Sequence, residues 1–431
     1  KLITLVQRVT VKYFFLILTS AELFTIPLSK FSRVVNNTQI NLQPNKKLNN
    51  RMKNFIFRNP TKLVFGKGQI ARLNELIPAE VNLMITYGGG SVTRNGIYDQ
   101  VKAALKGRKF IEFWGIEANP HVETLRKAIE VGKSENINYL LAVGGGSVLD
   151  GTKLIAAGIA SDEDAWDIVL KGVAEKQIPF ASVLTVPATG SEMNGGAVIT
   201  RAETREKFAF GGDYPQFSIL DPEVTYSLSK HQVACGLADA YTHVLEQYLT
   251  TPGQSRLMDR WAEGVLLSIM EIAPKIKENP CDYDLMADYM LAATLALNDF
   301  IRMGISQDWA THQIGHELTA LHGTTHGHSL AIVMPGTLRV LKEQKHEKLL
   351  QHGERVFGIT GGSEPERVDK AIEKTEEFYR SLGLTTRLSE ENIGNETIET
   401  IAKRFNDRGV AFGENQNVTG DVAREILLAC S

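Results

Sequence analysis

Only three cysteines occur in 431 residues, at Cys235, Cys281 and Cys430. They are too few and too scattered for a disulfide framework or a thiolate metal site, which points to a reducing compartment. No apolar run reaches the ~18 uninterrupted residues of an ordinary membrane-spanning helix. Basic residues are not in excess either. The 47 Lys and Arg stand against 50 Asp and Glu, with no sustained basic stripe, which argues against a nucleic-acid partner. The G-x-G-x-x-G fingerprint and the lysine of a P-loop are also missing. What remains is an ordinary globular composition, 43% hydrophobic and 23% charged, long enough for two large domains.

Residues 1–51 do not read like the rest. They carry Lys1, Arg8, Lys12, Lys30, Arg33, Lys46, Lys47 and Arg51 against a single acid, Glu22, so that without them the chain is markedly acidic. A basic start and an apolar middle suggest a signal peptide, whereas poverty in acids suggests an organelle transit peptide. The first methionine is Met52, immediately before strand-like sequence begins, so residues 1–51 are expected to be a non-native or targeting extension outside the fold.

From 52 to about 222, short apolar runs alternate with amphipathic stretches. Runs at 81–87, 109–113, 138–143 and 181–186 have strand length, and 96–105 and 121–135 have helical spacing. That alternation predicts an open, mostly parallel sheet covered by helices on both faces. Beyond Asp221-Pro222, helical spacing takes over at 229–248, 254–276, 284–300, 308–321, 346–357, 367–382 and 395–405. The expected organisation is an α/β domain over 52–226 and an all-α domain over 227–431, read below as dinucleotide-binding and metal-binding.

The strand at 138–143 runs straight into Gly144-Gly145-Gly146-Ser147 and then a helix. Glycines let a backbone approach phosphate closely, and a helix N-terminus offers N–H groups and a favourable dipole. Such a loop can also be only a tight turn, but its place at the carboxyl end of a strand favours the cofactor reading. A second loop, Gly88-Gly89-Gly90-Ser91, also follows a strand. No acid sits there to take a ribose 2′-hydroxyl, and Gly89, Gly90 and Ser91 instead leave room for a 2′-phosphate, so NADP(H) is expected over NAD(H). An aspartate placed at Gly90 is expected to reverse that preference. A third strand ends in a segment rich in hydroxyls and amides, from Thr185 through Thr189 to Asn194.

Asp239 and His243 stand four apart, as do His312 and His316, so each pair shares a helix face. Five of the ten histidines fall between 312 and 328, with His322, His326 and His328 at a glycine-broken turn. A lone helical histidine is usually a packing residue. A cluster joined by an aspartate suggests instead an imidazole–carboxylate site for Zn²⁺ or Fe²⁺. His316-Glu317 superficially matches a zinc-protease motif, but the next histidine is six positions on, so HExxH fails.

GGGS-x-x-D after a strand, then P-A-T-G-S-E, Asp-x-x-x-His and a distal histidine cluster together resemble the iron-containing alcohol dehydrogenase family, in its NADPH-dependent butanol dehydrogenase or aldehyde reductase branch. The resemblance covers nearly all of 52–431. It implies a Rossmann-like α/β domain followed by a helical domain, in the architecture shared with dehydroquinate synthase. It implies metal ligands Asp239, His243, His312 and His326, and a catalytic His316 facing nicotinamide and substrate. It places the cofactor against Gly144, Gly145, Gly146, Ser147 and Asp150, with Thr185, Thr189, Asn194 and Lys207 around ribose and nicotinamide. His322 and His328 match no ligand position. The implied activity is hydride transfer between NADP(H) and a small aldehyde or primary alcohol. A metal-dependent lyase or hydrolase on the same scaffold, and a non-catalytic nucleotide sensor, are the competing readings. A cytoplasmic homodimer is expected, with a small-molecule substrate and neither nucleic acid nor membrane as partner.

Overall fold

Six short apolar strands build one all-parallel sheet: β1 Lys62–Phe65, β2 Leu83–Tyr87, β3 Phe110–Phe113, β4 Tyr139–Gly145, β5 Phe180–Val186 and β8 Phe217–Leu220, in the order β1-β8-β5-β4-β2-β3. The computed structural model describes residues 51–431, so the expected extension lies, apart from Arg51, outside the described residues. β4 is central because both its faces are covered: Leu140, Leu141, Ala142 and Val143 are fully buried. Each such large aliphatic side chain contributes about 1.5–3 kcal/mol on burial. Helices α1 (Ile97–Ala104), α2 (Val122–Ser134), α3 (Gly146–Ala160) and α4 (Ala165–Lys171) connect the strands. The chain runs outward in opposite directions from β2 and β4, so the sheet has its switch point between these neighbours. Both glycine loops sit there, at the carboxyl ends of the two strands.

An antiparallel hairpin, β6 (Gly196–Arg201) with β7 (Glu206–Gly211), projects from the sheet domain. The second half is helical: α5 Lys230–Tyr248, α6 Arg256–Glu278, α7 Tyr283–Ala296, α8 Ala310–His322, α9 His326–Val340, α10 His346–Phe357, α11 Glu364–Ser381, α12 Asn395–Arg408 and α13 Gly420–Leu428. The halves share packing, since Met290 of α7 belongs to the core beneath the sheet. No described helix is long and apolar enough to cross a membrane.

The α/β-then-helical architecture agrees with the expectation, and four details differ. β1 and β8 have only four residues each, too few to show a period. The β6–β7 hairpin was not expected as strands. The helix expected over 284–300 stops at Ala296, where Leu297 leaves helical backbone at φ -145 and the chain then turns through Asp299 at φ 72. α9 replaces what looked like a turn and little more. Gly327 and Pro335 weaken its helical signal, yet twelve of its fifteen residues are buried, and that packing overrides local propensity.

Candidate metal centre and cofactor cleft

α5 starts from a capping box, Ser229 with Gln232, which fixes the phase of the helix that carries Asp239 and His243. Gly323 at φ 70 ends α8, and His326 opens α9 three residues later. The return of α9 against α5 needs Gly327: a Cβ there would lie 2.0 Å from the Cys235 carbonyl oxygen. Asp239 Oδ1 thereby becomes the centre of a cluster. His243 Nε2 is 3.5 Å from it, and His312 Nε2 and His326 Nε2 are each 3.8 Å away.

These separations are too long for good hydrogen bonds and suit groups arranged around a shared ion. Asp239 Oδ1 and His312 Nε2 are buried with no hydrogen-bond partner among the described residues. Buried polar atoms are normally paired, so the vacancy in their bonding fits a cation held between them. Asp239, His312 and His326 each offer a ligand atom within 4.8 Å of the others'. Burial drives the His243 imidazole down to about 4 and His326 well below its ordinary value, so both are neutral, the form that ligates. Burial also opposes charge on His312, but Glu246 and Asp239 outweigh it and raise the ring to about 9. In this site a divalent ion can replace that imidazolium charge. One carboxylate and three imidazoles without thiolate suit Zn²⁺ or Fe²⁺.

Glu246 was not singled out by the sequence analysis. Its carboxylate accepts from His312 Nδ1, from Thr311 N at 2.7 Å and from His312 N at 3.2 Å. It therefore caps α8, whose own N-cap Trp309 offers no side-chain bond, and leaves Nε2 of His312 free toward Asp239. A signal was available: Asp239, His243 and Glu246 fall at i, i+4 and i+7 on one face of α5.

His316 sits one turn beyond His312, its ring 5.1 Å from that of His326, with Nδ1 unpartnered among the described residues. Burial holds it well below its ordinary value. His322 instead contacts Thr397 at 2.8 Å, and His328 contacts Thr385 at 2.6 Å, so both are structural. Glu317 pairs with Arg404 and Arg408, away from the cluster.

A cavity of about 580 Å³ joins this centre to the sheet. Ser147, Asp150, Thr189, Asn194 and Lys207 line one side and His243, His312, His316, His326 and Trp309 the other. A wider groove of about 710 Å³ lies at the amino ends of β2 and β3, the wrong end of a parallel sheet for a ligand crevice, and no histidine lines it. At the cleft, α3 begins at Gly146 with no side-chain cap, leaving its first N–H groups for an anion. A Cβ at Gly146 would strike Thr189 at 2.4 Å, while one at Gly144 would meet Val148 and one at Gly145 would meet Val186. Ser147 accepts from Asn119 N at 3.1 Å, and Lys207 donates to Asn119 Oδ1 at 2.9 Å. Burial lowers the Lys207 ammonium to about 8 despite the nearby Asp150 and Asp239.

Two expected cofactor residues are already committed within the protein. Asp150 accepts from Ser191 Oγ at 2.7 Å and from Val198 N at 2.9 Å. Asn194 binds Lys153 Nζ, Gly196 N, Thr189 O and Leu297 O. Both shape the cleft wall through these bonds. Lys153, unnoticed in the sequence, is fully buried and donates to Ser191 Oγ, Asn194 Oδ1 and Gly196 O. Thr185 closes β5 and is buried. Gly89 and Ser91 are exposed at the end of β2, and Gly90 takes φ 89. That backbone disfavours the aspartate substitution expected to be informative at Gly90. Gly89 has no such constraint, and nothing lies within 4 Å of a Cβ built there.

Comparison with known proteins agrees over most of residues 60–430. Residues 60–222 match the family described as iron-containing alcohol dehydrogenase, and 233–430 match its C-terminal part. The NADPH-dependent aldehyde reductase YqhD of Escherichia coli (strain K12) is 48% identical over 385 residues, covering 88% of this chain and 100% of that protein. The probable NADH-dependent butanol dehydrogenase 1 of Bacillus subtilis is 41% identical, covering 88% and 100%. The crystal structure of the E. coli K-12 protein superposes with a TM-score of 0.87 at 47% identity, over 88% of this chain and 100% of that one.

Proposed function

The chain belongs to the iron-containing alcohol dehydrogenase family, and from that premise we propose that it reduces small aldehydes to primary alcohols with NADPH and one divalent ion. As a member it is an NAD(P)-dependent oxidoreductase of alcohols and aldehydes, and nothing in the comparisons favours a lyase or hydrolase. The observation that carries the proposal is the buried Asp239 oxygen with three imidazole nitrogens at 3.5–3.8 Å. Asp239, His243, His312 and His326 would hold the ion. When bound, the ion supplies Lewis acidity toward a carbonyl oxygen and the nicotinamide supplies hydride.

The protein's own groups do the rest. Glu246 keeps His312 turned toward Asp239. Neutral His316, with one donor and one acceptor nitrogen, orients the substrate oxygen or passes a proton to it. The uncapped start of α3 and the Gly144–Gly146 backbone take the pyrophosphate, and Lys207 adds positive charge where ribose and nicotinamide enter. Preference for NADPH rests on the acid-free loop 88–91, which offers a 2′-phosphate backbone N–H groups, the Ser91 hydroxyl and no repulsion.

The division into domains at 226/227 belongs to the same reading, supported by the change from strands to helices between β8 and α5. So do a cytoplasmic location, supported by three unpaired cysteines, and a homodimer. Met52, Phe55, Ile56 and Phe57 are each exposed, apolar surface that a second copy would cover. The test is an aldehyde panel assayed with NADPH and NADH on protein of measured metal content. NADPH-dependent reduction that scales with bound metal is expected, and turnover by metal-free protein would end the proposal.

A further inference from the structure

The hairpin β6–β7 carries Lys207 into the cleft, and its far end is tied to the helical half of the protein. Strand alternation puts Lys207, Ala209 and Gly211 on the cleft face of β7, where all three line the cavity, and turns Glu206 and Phe208 away from it. Lys207 stands near enough to His316 and His326 that its charge helps hold both rings neutral. It is the second residue of β7, next to the hairpin tip at 202–205. Arg205 takes φ 51 in that tip, left-handed backbone that a non-glycine residue keeps only where its surroundings hold it. On the sheet-domain side the tip rests on Glu123, which accepts from Ala202 N and Glu203 N at 3.4 Å each, long for a hydrogen bond.

Shorter ties come from α12. Arg404 and Arg408, four apart on one face of that helix, clasp the buried Glu317 carboxylate, Arg404 Nη1 at 2.7 Å from Oε2 and Arg408 Nη1 against Oε1. Both arginines also reach the hairpin. Arg404 Nη1 donates to Arg205 O at 2.8 Å, and Arg408 Nη2 donates to Glu206 Oε1 at 3.2 Å. The Arg408 guanidinium lies 4.9 Å from the centre of the Phe208 ring. Glu317 is the residue after His316 on α8. Each arginine therefore bridges the helix that carries His316 to the strand end that carries Lys207, a span for which the forked guanidinium is suited and the single nitrogen of a lysine is not.

We propose that Arg404 and Arg408 are positioning residues that latch hairpin β6–β7 onto α8, so that Lys207 already stands in the cleft when the cofactor arrives. This rests on the reading of Lys207 as a cofactor contact. α8 is anchored separately, by Glu246 at its first turn, so loosening the latch frees the hairpin and leaves the metal helix in place. Lys207 then occupies its position for only part of the time. The apparent affinity for the cofactor falls by that fraction, although neither arginine touches it.

The experiment measures NADPH affinity by nicotinamide fluorescence on metal-loaded wild-type protein, Arg404→Met, Arg408→Met, Lys207→Met, and Arg408→Met combined with Lys207→Met. Each single arginine variant leaves Glu317 one guanidinium partner, so its buried carboxylate is not stranded. Lys207→Met should bind NADPH about 10–100-fold more weakly, the range for losing a charged hydrogen bond. Each arginine variant should lose about 3–10-fold, as expected if Lys207 is in place about a tenth to a third of the time, with bound metal unchanged. The combination should lose less than about twofold beyond Lys207→Met alone, because both changes act through one contact, whereas a merely structural role would add its loss in full. Wild-type affinity in both arginine variants, or additive losses in the combination, would overturn the proposal. Should the methionine variants fail to fold, Arg404→Lys and Arg408→Lys decide by the same measurement, since they keep the charge on Glu317 and lose the bridge. No NADPH binding by wild-type protein would instead sink the cofactor reading. In that event amide hydrogen exchange over 201–207 decides: faster exchange in Arg408→Met supports the latch, and unchanged exchange overturns it.

Discussion

Replacing Glu246 by glutamine tests whether the metal centre depends on a residue that touches no metal. In the native protein the carboxylate accepts from Thr311 N, His312 N and His312 Nδ1. A glutamine keeps one acceptor oxygen and turns an NH₂ toward N–H donors, so at least one of the three bonds is lost. Its neutral amide also removes the charge that favours proton donation from Nδ1, which is what leaves Nε2 as the free lone pair. Outer partners of metal-bound histidines typically account for about 10–100-fold in metal affinity, or about 1.4–2.7 kcal/mol. Glu246→Gln should therefore bind Zn²⁺ about 10–100-fold more weakly in a competitive chelator titration. Excess metal should restore much of the turnover, because the ligands themselves are intact. Glu246→Ala should in addition lower the melting temperature, since two N–H groups at the start of α8 lose their acceptor at about 1–3 kcal/mol for each group left buried and unpaired. Metal affinity unchanged in Glu246→Gln would refute the orienting role and with it the argument that Nε2 of His312 is presented for ligation.

Gly89→Asp should shift the ratio of kcat/KM values from NADPH toward NADH, because like charge repels the 2′-phosphate; a ratio that does not move would remove this loop from cofactor selection. His316→Ala should retain bound metal and fold while losing about 10²–10⁴-fold in turnover, the usual range for a positioned acid or base, whereas loss of metal would mean that His316 is a ligand. The buried His352, held down to about 3 by desolvation, predicts a pH effect on stability. Its unfolded-state value near 6.5 lies above the folded one, so the unfolded chain binds the proton first and stability is lost as pH falls from about 6.5 toward 3, at up to about 1.4 kcal/mol per pH unit. Urea unfolding of chelated His352→Gln at two pH values across that window should show a shallower decline than wild type; equal slopes would contradict the assignment.

The fold class and the metal cluster were legible in the sequence because each has a period or a spacing. Strand-length apolar runs alternating with helices announced the parallel sheet, and the pairs Asp239/His243 and His312/His316, each four apart, announced shared helix faces. What stayed hidden depends on long-range packing. Lys153 reads as an ordinary helical lysine, and only the loop carrying Ser191 and Gly196 makes it a buried keystone. Asp150 lines the cleft, but its bonds to Ser191 Oγ and Val198 N come from distant loops and carry no sequence signal. α9 was obscured by Gly327 and Pro335, residues that disfavour helices in isolation. In the fold, that same glycine lets His326 reach Asp239.

The most direct test of the central claim is a metal titration of chelated protein, with NADPH-dependent aldehyde reduction followed after each addition of Fe²⁺ or Zn²⁺. Wild-type activity should rise with added metal and break at one ion per chain, and His326→Ala should show neither tight binding nor recovery. Full activity in protein shown to be metal-free, or an unchanged titration in His326→Ala, would contradict the account.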